Sequence, residues 1–345
     1  MKYFSLLILT VFLSACVTET SGPEPVPVNP QLALEQRVGV ARQYIGVGDW
    51  ENAKRNLELA ADIDPSSPDV LEAFADTAKN YSVDRVRAFG CSALRDASNG
   101  PQFVAAAAHR GWHIAGVDGQ AEAEWIHLGG KDTLSPAAQG PNAALTVDIG
   151  GGSVELIHWT QEQILGRWSL DLGVARLTDW IKPKDPLSQQ DISSMRRIMD
   201  GAIAPVLESV SIHPPHILVG TSGAFNTLMT LEDHSAPWKN PRAADAFDTE
   251  VLKARCLALA VASKADLHKV EGMHPDRIPY MSVACVLIDH LLKSFSSIAE
   301  VYRSRHTLAE GALVHAATLS PQKASSGLDE GPGTAVWAGW RPLLG

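Results

Sequence analysis

The sequence lacks the basic surface that a nucleic-acid-binding protein needs. Its 39 acidic residues outnumber its 29 basic residues, which gives a formal net charge of -10. Binding nucleic acid without sequence preference requires clustered Lys and Arg that displace counterions. We therefore expect no general nucleic-acid binding, and any polyanionic ligand must be held by a local group of residues.

Cysteine is also scarce, and its spacing is irregular. The four cysteines are Cys16, Cys91, Cys256 and Cys285. They show neither the paired spacing of a zinc site nor the density of a disulfide framework. We interpret the last three as small buried hydrophobic residues, whereas Cys16 belongs to an N-terminal signal.

A long apolar run is missing from the N-terminus, where residues 6–13 are too few to span a bilayer as a folded helix. Lys2 precedes this run, and Leu13-Ser14-Ala15-Cys16 follows it. The pattern resembles a bacterial lipoprotein signal, in which the cysteine is lipidated and becomes the first mature residue. We expect residues 1–16 to anchor the chain to the bacterial envelope through Cys16, with contact to the membrane only through that lipid. An ordinary secretory signal is the alternative.

The next segments have different compositions. Residues 17–30 are rich in proline and predict an extended tether. In residues 31–73, the small and apolar residues have the spacing of one tetratricopeptide-like helix pair. The sequence of this segment resembles that of pilus-biogenesis lipoproteins of the tetratricopeptide class. A single pair cannot cover its own apolar face, so we expect it to pack on the rest of the chain or to bind a protein partner.

From residue 74 onward, short β-branched runs alternate with helical periodicity, which predicts an α/β fold. The predicted strands are residues 83–89, 114–117, 144–148, 154–159 and 217–219. The predicted helices are residues 195–210, 251–267 and 278–297. Residues 317–345 are rich in Pro, Gly and Ser, and we expect a flexible tail.

The strongest chemical signal is an apolar strand, an acid, three glycines, a serine and a second apolar strand. Its candidate phosphate- and metal-binding residues are Asp148, Gly150, Gly151, Gly152, Ser153 and Glu155. Glycines let main-chain N–H groups converge on phosphate oxygens, and a carboxylate at the strand end suits Mg²⁺ or an attacking water. A plain hairpin with a glycine-rich turn is the alternative interpretation.

This hairpin resembles the second phosphate loop of the exopolyphosphatase and guanosine pentaphosphate phosphohydrolase family. Residues 83–88 and 92–99 resemble the family's preceding strand and helix, and residues 119–129 resemble its catalytic helix, Ser-Gly-x-Glu-Glu-Ala-Arg-Leu-Ile-x-x-Gly. Residues 172–177 resemble the stretch after the hairpin, and the later Gly-Thr-Ser-Gly loop is similar to Gly220, Thr221, Ser222 and Gly223. Together these segments cover about residues 74–316 in the family's order.

The resemblance implies an actin-like two-lobe fold of the actin and hexokinase group, with residues 74–148 in a truncated first lobe and 149–316 in the second. It implies that Glu122 is the general base of a hydrolase that releases terminal phosphate from polyphosphate or guanosine pentaphosphate with Mg²⁺. It also implies a homodimer and, for the phosphatase family, a cytoplasmic location.

Several positions depart from the family pattern. We find no opening loop of the type Asp-x-Gly-Ser-Asn-Ser, so reduced activity is expected. Ala121 replaces one of the paired acids, Glu124 stands where a basic residue is usual, and Ala309 stands where an arginine is usual. The second hypothesis is a non-enzymatic envelope lipoprotein that binds a protein partner through its helix pair.

Overall fold

The computed structural model describes residues 30–47, 56, 60, 88–109, 113–131, 134, 140, 142–233 and 244–318. The predicted lipoprotein signal, nearly all of the tether, most of the second helix of the predicted pair, and the predicted tail beyond residue 318 lie outside these residues. The chain divides into two compact units, Met1–Asp118 with Ser320–Gly345, and Gly119–Leu319. The two units are described separately.

The described part of the first unit is mainly helical. Its elements are α1 (Pro30–Val47), β1 (Ala88–Gly90), α2 (Ser92–Asp96), α3 (Gly100–His109) and β2 (Ile114–Gly116). Helix α1 coincides with the first helix of the predicted pair and buries Leu34, Val38 and Ala41 on one face. Strands β1 and β2 are parallel neighbours, and the Arg95 guanidinium donates to the Val117 carbonyl beside them.

The second unit contains a six-stranded mixed sheet. Its strands are β3 (Ala143–Ile149), β4 (Val154–Trp159), β5 (Ile164–Leu170), β6 (Pro215–Thr221), β7 (Ala244–Ala246) and β8 (Glu300–Ser304). They are ordered β5-β4-β3-β6-β8-β7. Strands β3, β4 and β5 form an antiparallel meander, whereas β6 and β8 run parallel to β3. The carboxyl ends of three parallel strands therefore lie at one edge of the sheet.

Helices cover this sheet. They are α4 (Gly119–Gly130), α5 (Val174–Ile181), α6 (Gln189–Val210), α7 (Ser222–Asp233), α8 (Thr249–Ala260), α9 (Lys264–Leu267), α10 (Ile278–Ser294) and α11 (Leu308–Thr318), with a 3₁₀ turn at Pro275–Arg277. Helix α6 begins with a capping box between Ser188 and Asp191 and buries an apolar stripe at helical spacing. Its buried residues are Ile192, Met195, Met199, Ile203, Val206 and Val210.

Side chains along β3 and β4 alternate between the face that packs into the core and the face that carries the candidate site. Leu145 and Val147 on β3, with Leu156 on β4, belong to the large apolar core that includes α6 and α10. Because successive side chains point to opposite faces, Asp148 and Glu155 lie on the other face. Both strands are buried along their full length, since helices cover both faces.

Several details differ from the sequence prediction. Strands β5, β7 and β8 were not predicted, because their sequences have no continuous apolar or alternating pattern. The predicted helix at residues 251–267 is interrupted after α8, where the Ser263 hydroxyl accepts the Asp266 N–H at 3.1 Å and starts α9. The lobe boundary predicted after Asp148 falls inside the second unit, before the last residue of β3.

The prediction about the cysteines can be compared with the described residues. Cys256 and Cys285 are buried as predicted, while Cys91 is partly exposed. In this part of the chain, no helix is both long and apolar enough to cross a membrane.

Candidate active site

The candidate site begins at the hairpin between β3 and β4. Asp148 and Glu155 are direct cross-strand partners, so their side chains emerge on the same face, next to each other. Asp148 also pairs with Thr221 on the parallel neighbour β6. The hairpin therefore places two carboxyl groups at the edge of the sheet where β3 and β6 end.

The turn of the hairpin is held by the N-terminus of α5. The Gly150 carbonyl accepts the Val174 N–H at 3.0 Å, and the Gly151 carbonyl accepts the Ala175 N–H at 2.9 Å. The first N–H groups of a helix have no partner inside it, and here the turn supplies the acceptors. The approach requires glycine at position 173, because a Cβ there would lie 2.2 Å from the Gly151 carbonyl oxygen.

The carbonyls of the turn thereby set the direction of its N–H groups. The Gly152 carbonyl accepts the Arg176 side chain at 2.7 Å, so all three glycine carbonyls are directed at α5 or the residues beside it. In a trans peptide the following N–H points the opposite way. The N–H groups of Gly151, Gly152 and Ser153 therefore point away from α5. Within the described chain, no hydrogen bond is recorded from these three N–H groups. Converging N–H groups of this kind bind anions.

Glu122 enters the site from α4. This helix packs against β4 and β5 on the face that carries the two hairpin carboxyls. Glu122 is in the first turn of α4, and only 7% of its surface is exposed. Its charge acts on both Asp148 and Glu155. Three carboxyl groups, contributed by two sheet strands and one helix, thus form the acidic cluster of Glu122, Asp148 and Glu155.

Burial and mutual repulsion change the electrostatics of the acidic cluster. Burial raises the pKa of Asp148 from 3.8 to about 7, and the charge of Glu122 adds to this, while a hydrogen bond with Ser222 opposes it. Burial followed by the charges of Glu122 and Asp148 raises the pKa of Glu155 to about 8. The Ser169 hydroxyl donates to Glu155 at 2.8 Å and limits the increase. A positive charge bound beside the cluster would favour the ionised carboxylates and lower these pKa values.

These residues fit a divalent cation that is completed by a phosphate ligand. The three carboxyls of the acidic cluster interact through their charges, but in the described residues no three acidic, His or Cys side chains lie close enough together to hold a metal by protein ligands alone. Mg²⁺ is usually held by one or two carboxylates, with the remaining positions taken by water and substrate phosphate. The oxygens of Asp148 and Glu155 lie beside a turn with free N–H groups, so they meet this requirement.

The second glycine loop adjoins the first at the end of β6. Ser222 has a φ of 71°, in the left-handed region that non-glycine residues rarely adopt, and its hydroxyl donates to the Ile149 carbonyl at 3.0 Å. Gly220 is required where it is, because a Cβ there would lie 2.2 Å from the Phe225 ring. A Cβ on Gly223 would lie 2.3 Å from Cζ of Arg277. The Arg277 guanidinium therefore covers the start of α7.

The structure brings together Glu122, Asp148, Glu155 and both glycine loops. The roles of Ser153 and Glu124 differ from those that the sequence suggested. Ser153 is buried and its hydroxyl is hydrogen bonded to Glu155, so its side chain supports the carboxyl and its N–H is left for an anion. Glu124 does not add an isolated negative charge, because it pairs with Arg167 at 2.6 Å. Arg277 had no recognisable sequence signal, since the 3₁₀ turn and α7 are far apart along the chain.

The fold and the site define an actin-like α/β protein with a glycine-rich hairpin that carries two buried carboxyl groups. The chain belongs to the Ppx/GppA phosphatase family, whose sequence profile matches residues 53–319. The match begins within the segment interpreted as a helix pair. Exopolyphosphatase 2 of Mycobacterium tuberculosis is 27% identical over 256 residues, which cover 70% of this chain and 77% of that protein.

Solved structures agree with this family and this fold. The crystal structure of an exopolyphosphatase from Cytophaga hutchinsonii is 27% identical, has a TM-score of 0.63, and is matched over 72% of this chain and 81% of that chain. The Ppx/GppA family member from Aquifex aeolicus is 18% identical, with a TM-score of 0.57 and 83% of each chain covered. At that identity the second comparison supports the fold alone.

Proposed function

We propose that this protein is a phosphoanhydride hydrolase that releases terminal phosphate from polyphosphate or guanosine pentaphosphate. This proposal rests mainly on the position of Glu122. Its carboxyl group faces Asp148 and Glu155, beside the N–H groups of the hairpin turn that have no hydrogen-bond partner in the described chain. Phosphoryl transfer depends mainly on positioning and on neutralising charge. Family membership and the exopolyphosphatases to which the chain is similar support the same reaction.

The proposed roles follow from where the groups lie. The N–H groups of Gly151, Gly152 and Ser153 bind oxygens of the terminal phosphate, and the Arg277 guanidinium binds a neighbouring phosphate from the second loop. Glu122 accepts the proton of the attacking water, because it is the carboxyl in the cluster that comes from outside the hairpin. The water oxygen that has lost its proton to Glu122 forms a bond to the terminal phosphorus while the bond from that phosphorus to the bridging oxygen breaks. The shortened phosphate chain leaves with the bridging oxygen and its electron pair, and the terminal group is released as phosphate.

Asp148 and Glu155 are the residues that would hold Mg²⁺. When bound, the ion neutralises the charge of the phosphate oxygens and orients them. The two carboxyls prefer their protonated forms without a cation, so proton loss from the cluster accompanies cation binding. Ser169 and Ser153 hold Glu155 in place through hydrogen bonds.

Phosphate release from polyphosphate and from guanosine pentaphosphate tests the proposal. Glu122→Gln should lower kcat by about 10²- to 10⁴-fold, which is the contribution of a general base. Ser153→Ala should have a smaller effect, because it removes one hydrogen bond to Glu155. Glu124→Gln is the matched control, since Glu124 is on the same helix but pairs with Arg167 at the surface. Equal rates for the wild type and Glu122→Gln would contradict the assignment of the base.

Anchoring through Cys16 remains a separate proposal, supported by the sequence of residues 6–16. Cys16→Ser should release the protein from the membrane fraction of cells, and wild-type protein that is soluble and retains Met1 would contradict the anchor. The family match over residues 53–319 favours the hydrolase over a non-enzymatic lipoprotein. Partner binding through the helix pair and homodimer formation are proposals that size measurement and pull-down would test.

A further inference from the structure

Helix α4, which carries Glu122, is positioned by close contacts near both of its ends. At its first residue, a Cβ on Gly119 would lie 2.5 Å from the hydroxyl of Ser169, the residue that donates to Glu155. Toward its last turn, a Cβ on Gly129 would lie 2.6 Å from the Thr307 carbonyl and 2.7 Å from the Gly311 nitrogen. Contacts this close leave little freedom for the helix to shift along or rotate about its axis.

The closest of these contacts is made by Gly311 of α11. A Cβ at this position would lie 1.6 Å from the Trp125 carbonyl oxygen and 3.1 Å from the Gly129 nitrogen. Gly311 therefore rests on the backbone of α4 between two consecutive turns. Trp125 follows Glu122 by three residues, so this contact is one helical turn from the carboxyl group.

The start of α11 is itself fixed in place. The Glu310 carboxylate accepts the Thr307 N–H at 2.7 Å and the Thr307 hydroxyl at 3.0 Å, and that hydroxyl accepts the Ala309 N–H at 3.3 Å. The Thr307 hydroxyl accepts from the second helical residue instead of the third, so the two side chains cap the start of the helix without completing a capping box. Thr307 to Gly311 thus forms a rigid support, and Ala309 belongs to its first turn.

His306 connects the same support to the other side of the site. Its Nδ1 lies 3.0 Å from the Gly129 carbonyl, and because a carbonyl can only accept, Nδ1 carries the proton and donates. The His306 carbonyl accepts the Thr221 hydroxyl at 2.8 Å. Thr221 is the β6 partner of Asp148. One residue therefore joins the end of the Glu122 helix to the strand beside Asp148.

We propose that His306 and Gly311 are positioning residues that set where Glu122 stands relative to Asp148 and Glu155. The contacts of Gly129, His306 and Gly311, which we term the α4–α11 joint, act on the catalytic carboxyl through the backbone of α4. This inference deepens the proposed function and rests on it for its kinetic test. Neither residue touches the phosphate hairpin, so loss of either should impair the chemical step more than substrate binding.

The kinetic test compares His306→Ala with His306→Asn. His306→Ala should lower kcat for phosphate release about 10- to 100-fold with KM changed less than about two-fold, since small misplacements near reacting groups have effects of this size. Asn can place an amide donor near the position of Nδ1, so His306→Asn should restore most of kcat. His216→Ala is the matched control, because its Nδ1 lies 3.1 Å from the Pro214 carbonyl on the exposed surface.

Gly311→Ala tests the helix contact, with Gly201→Ala as its control. A Cβ on Gly201 meets nothing within 4 Å, so that variant should keep full activity. Gly311→Ala should lower kcat at least as far as His306→Ala. If Gly311→Ala does not fold, the comparison of His306→Ala with His306→Asn tests the inference instead. In a Glu122→Gln background, His306→Ala should cause no further loss of kcat, because effects that act through one residue are not additive.

A thermal measurement separates this inference from the proposed function. In metal-free buffer at pH 8, Glu122→Gln should raise Tm by relieving repulsion with Asp148 and Glu155, and the increase should be smaller in the His306→Ala background. Equal increases in both backgrounds, or a rise in KM with unchanged kcat, would overturn the positioning role. A wild type that releases no phosphate would instead overturn the proposed function, and the Tm comparison would still decide the inference.

Discussion

Replacing Asp148 should make the folded protein more stable while removing its activity. Burial raises the pKa of Asp148 from 3.8 to about 7, so the folded protein holds the proton more tightly than the unfolded chain does. Its contribution to stability is present below pH 4, decreases as the pH rises toward 7, and is lost above pH 7. One pKa unit corresponds to about 1.4 kcal/mol, so ionising Asp148 costs on the order of 4 kcal/mol at pH 8.

Asp148→Asn removes this ionisation but weakens the hydrogen bond with Ser222. We therefore expect Tm in metal-free buffer at pH 8 to rise by about 5–10 °C, given roughly 2–4 °C per kcal/mol for a unit of this size. At pH 4 the carboxyl is largely protonated in the folded state, and the two proteins should melt within about 2 °C of each other.

Differential scanning calorimetry across pH 4 to 8 would measure this difference. Asp179→Asn is the control, because Asp179 is exposed on α5 and its removal should leave the pH dependence unchanged. The reasoning would be refuted by an Asp148→Asn protein that melts at or below the wild-type temperature at pH 8. A difference of the same size at pH 4 and pH 8 would show that ionisation is not its cause.

Other consequences of the site can be measured directly. Excess Mg²⁺ should raise the wild-type Tm more at pH 8 than at pH 5, where protons compete for the carboxyls, and should have little effect on Asp148→Asn; an equal rise in both proteins would contradict the cation site. Gly173→Ala should lower Tm and phosphate binding, because the new Cβ meets the Gly151 carbonyl, whereas Gly201→Ala should lower neither. Arg277→Ala should raise KM for polyphosphate about ten-fold and weaken its salt dependence, and an unchanged KM would remove Arg277 from the site.

The hairpin between β3 and β4 could be predicted because its signals are local. A buried strand, an acid, three glycines and a second buried strand are contiguous, and strand pairing then requires Asp148 and Glu155 to share a face. Strands β5 and β8 could not be predicted in this way. Arg303 is almost fully buried in β8, where the Asn226 side chain lies 3.3 Å from its guanidinium, and sequence pattern alone places an arginine at the surface.

The role of neighbouring positions also depended on the tertiary structure. Glu124 was interpreted as a loss of positive charge, but its meaning changes once Arg167 is found beside it. Ser153 was a candidate phosphate-binding residue, yet its hydroxyl is hydrogen bonded to Glu155. For Glu124 the deciding partner, Arg167, is 43 residues away on β5. For Ser153 the partner is two residues further along the chain, and the packing of the hairpin directs the hydroxyl toward it.

By itself, the sequence determined the α/β class, the family and the acidic and glycine-rich segments, because each depends on residues that are adjacent or at regular spacing. Only the tertiary structure decided that Arg277 covers Gly223 and that His306 and Gly311 hold the helix of Glu122. These contacts join segments more than 50 residues apart. They depend on how closely two backbones approach, which the packing of the whole unit determines and no local pattern records.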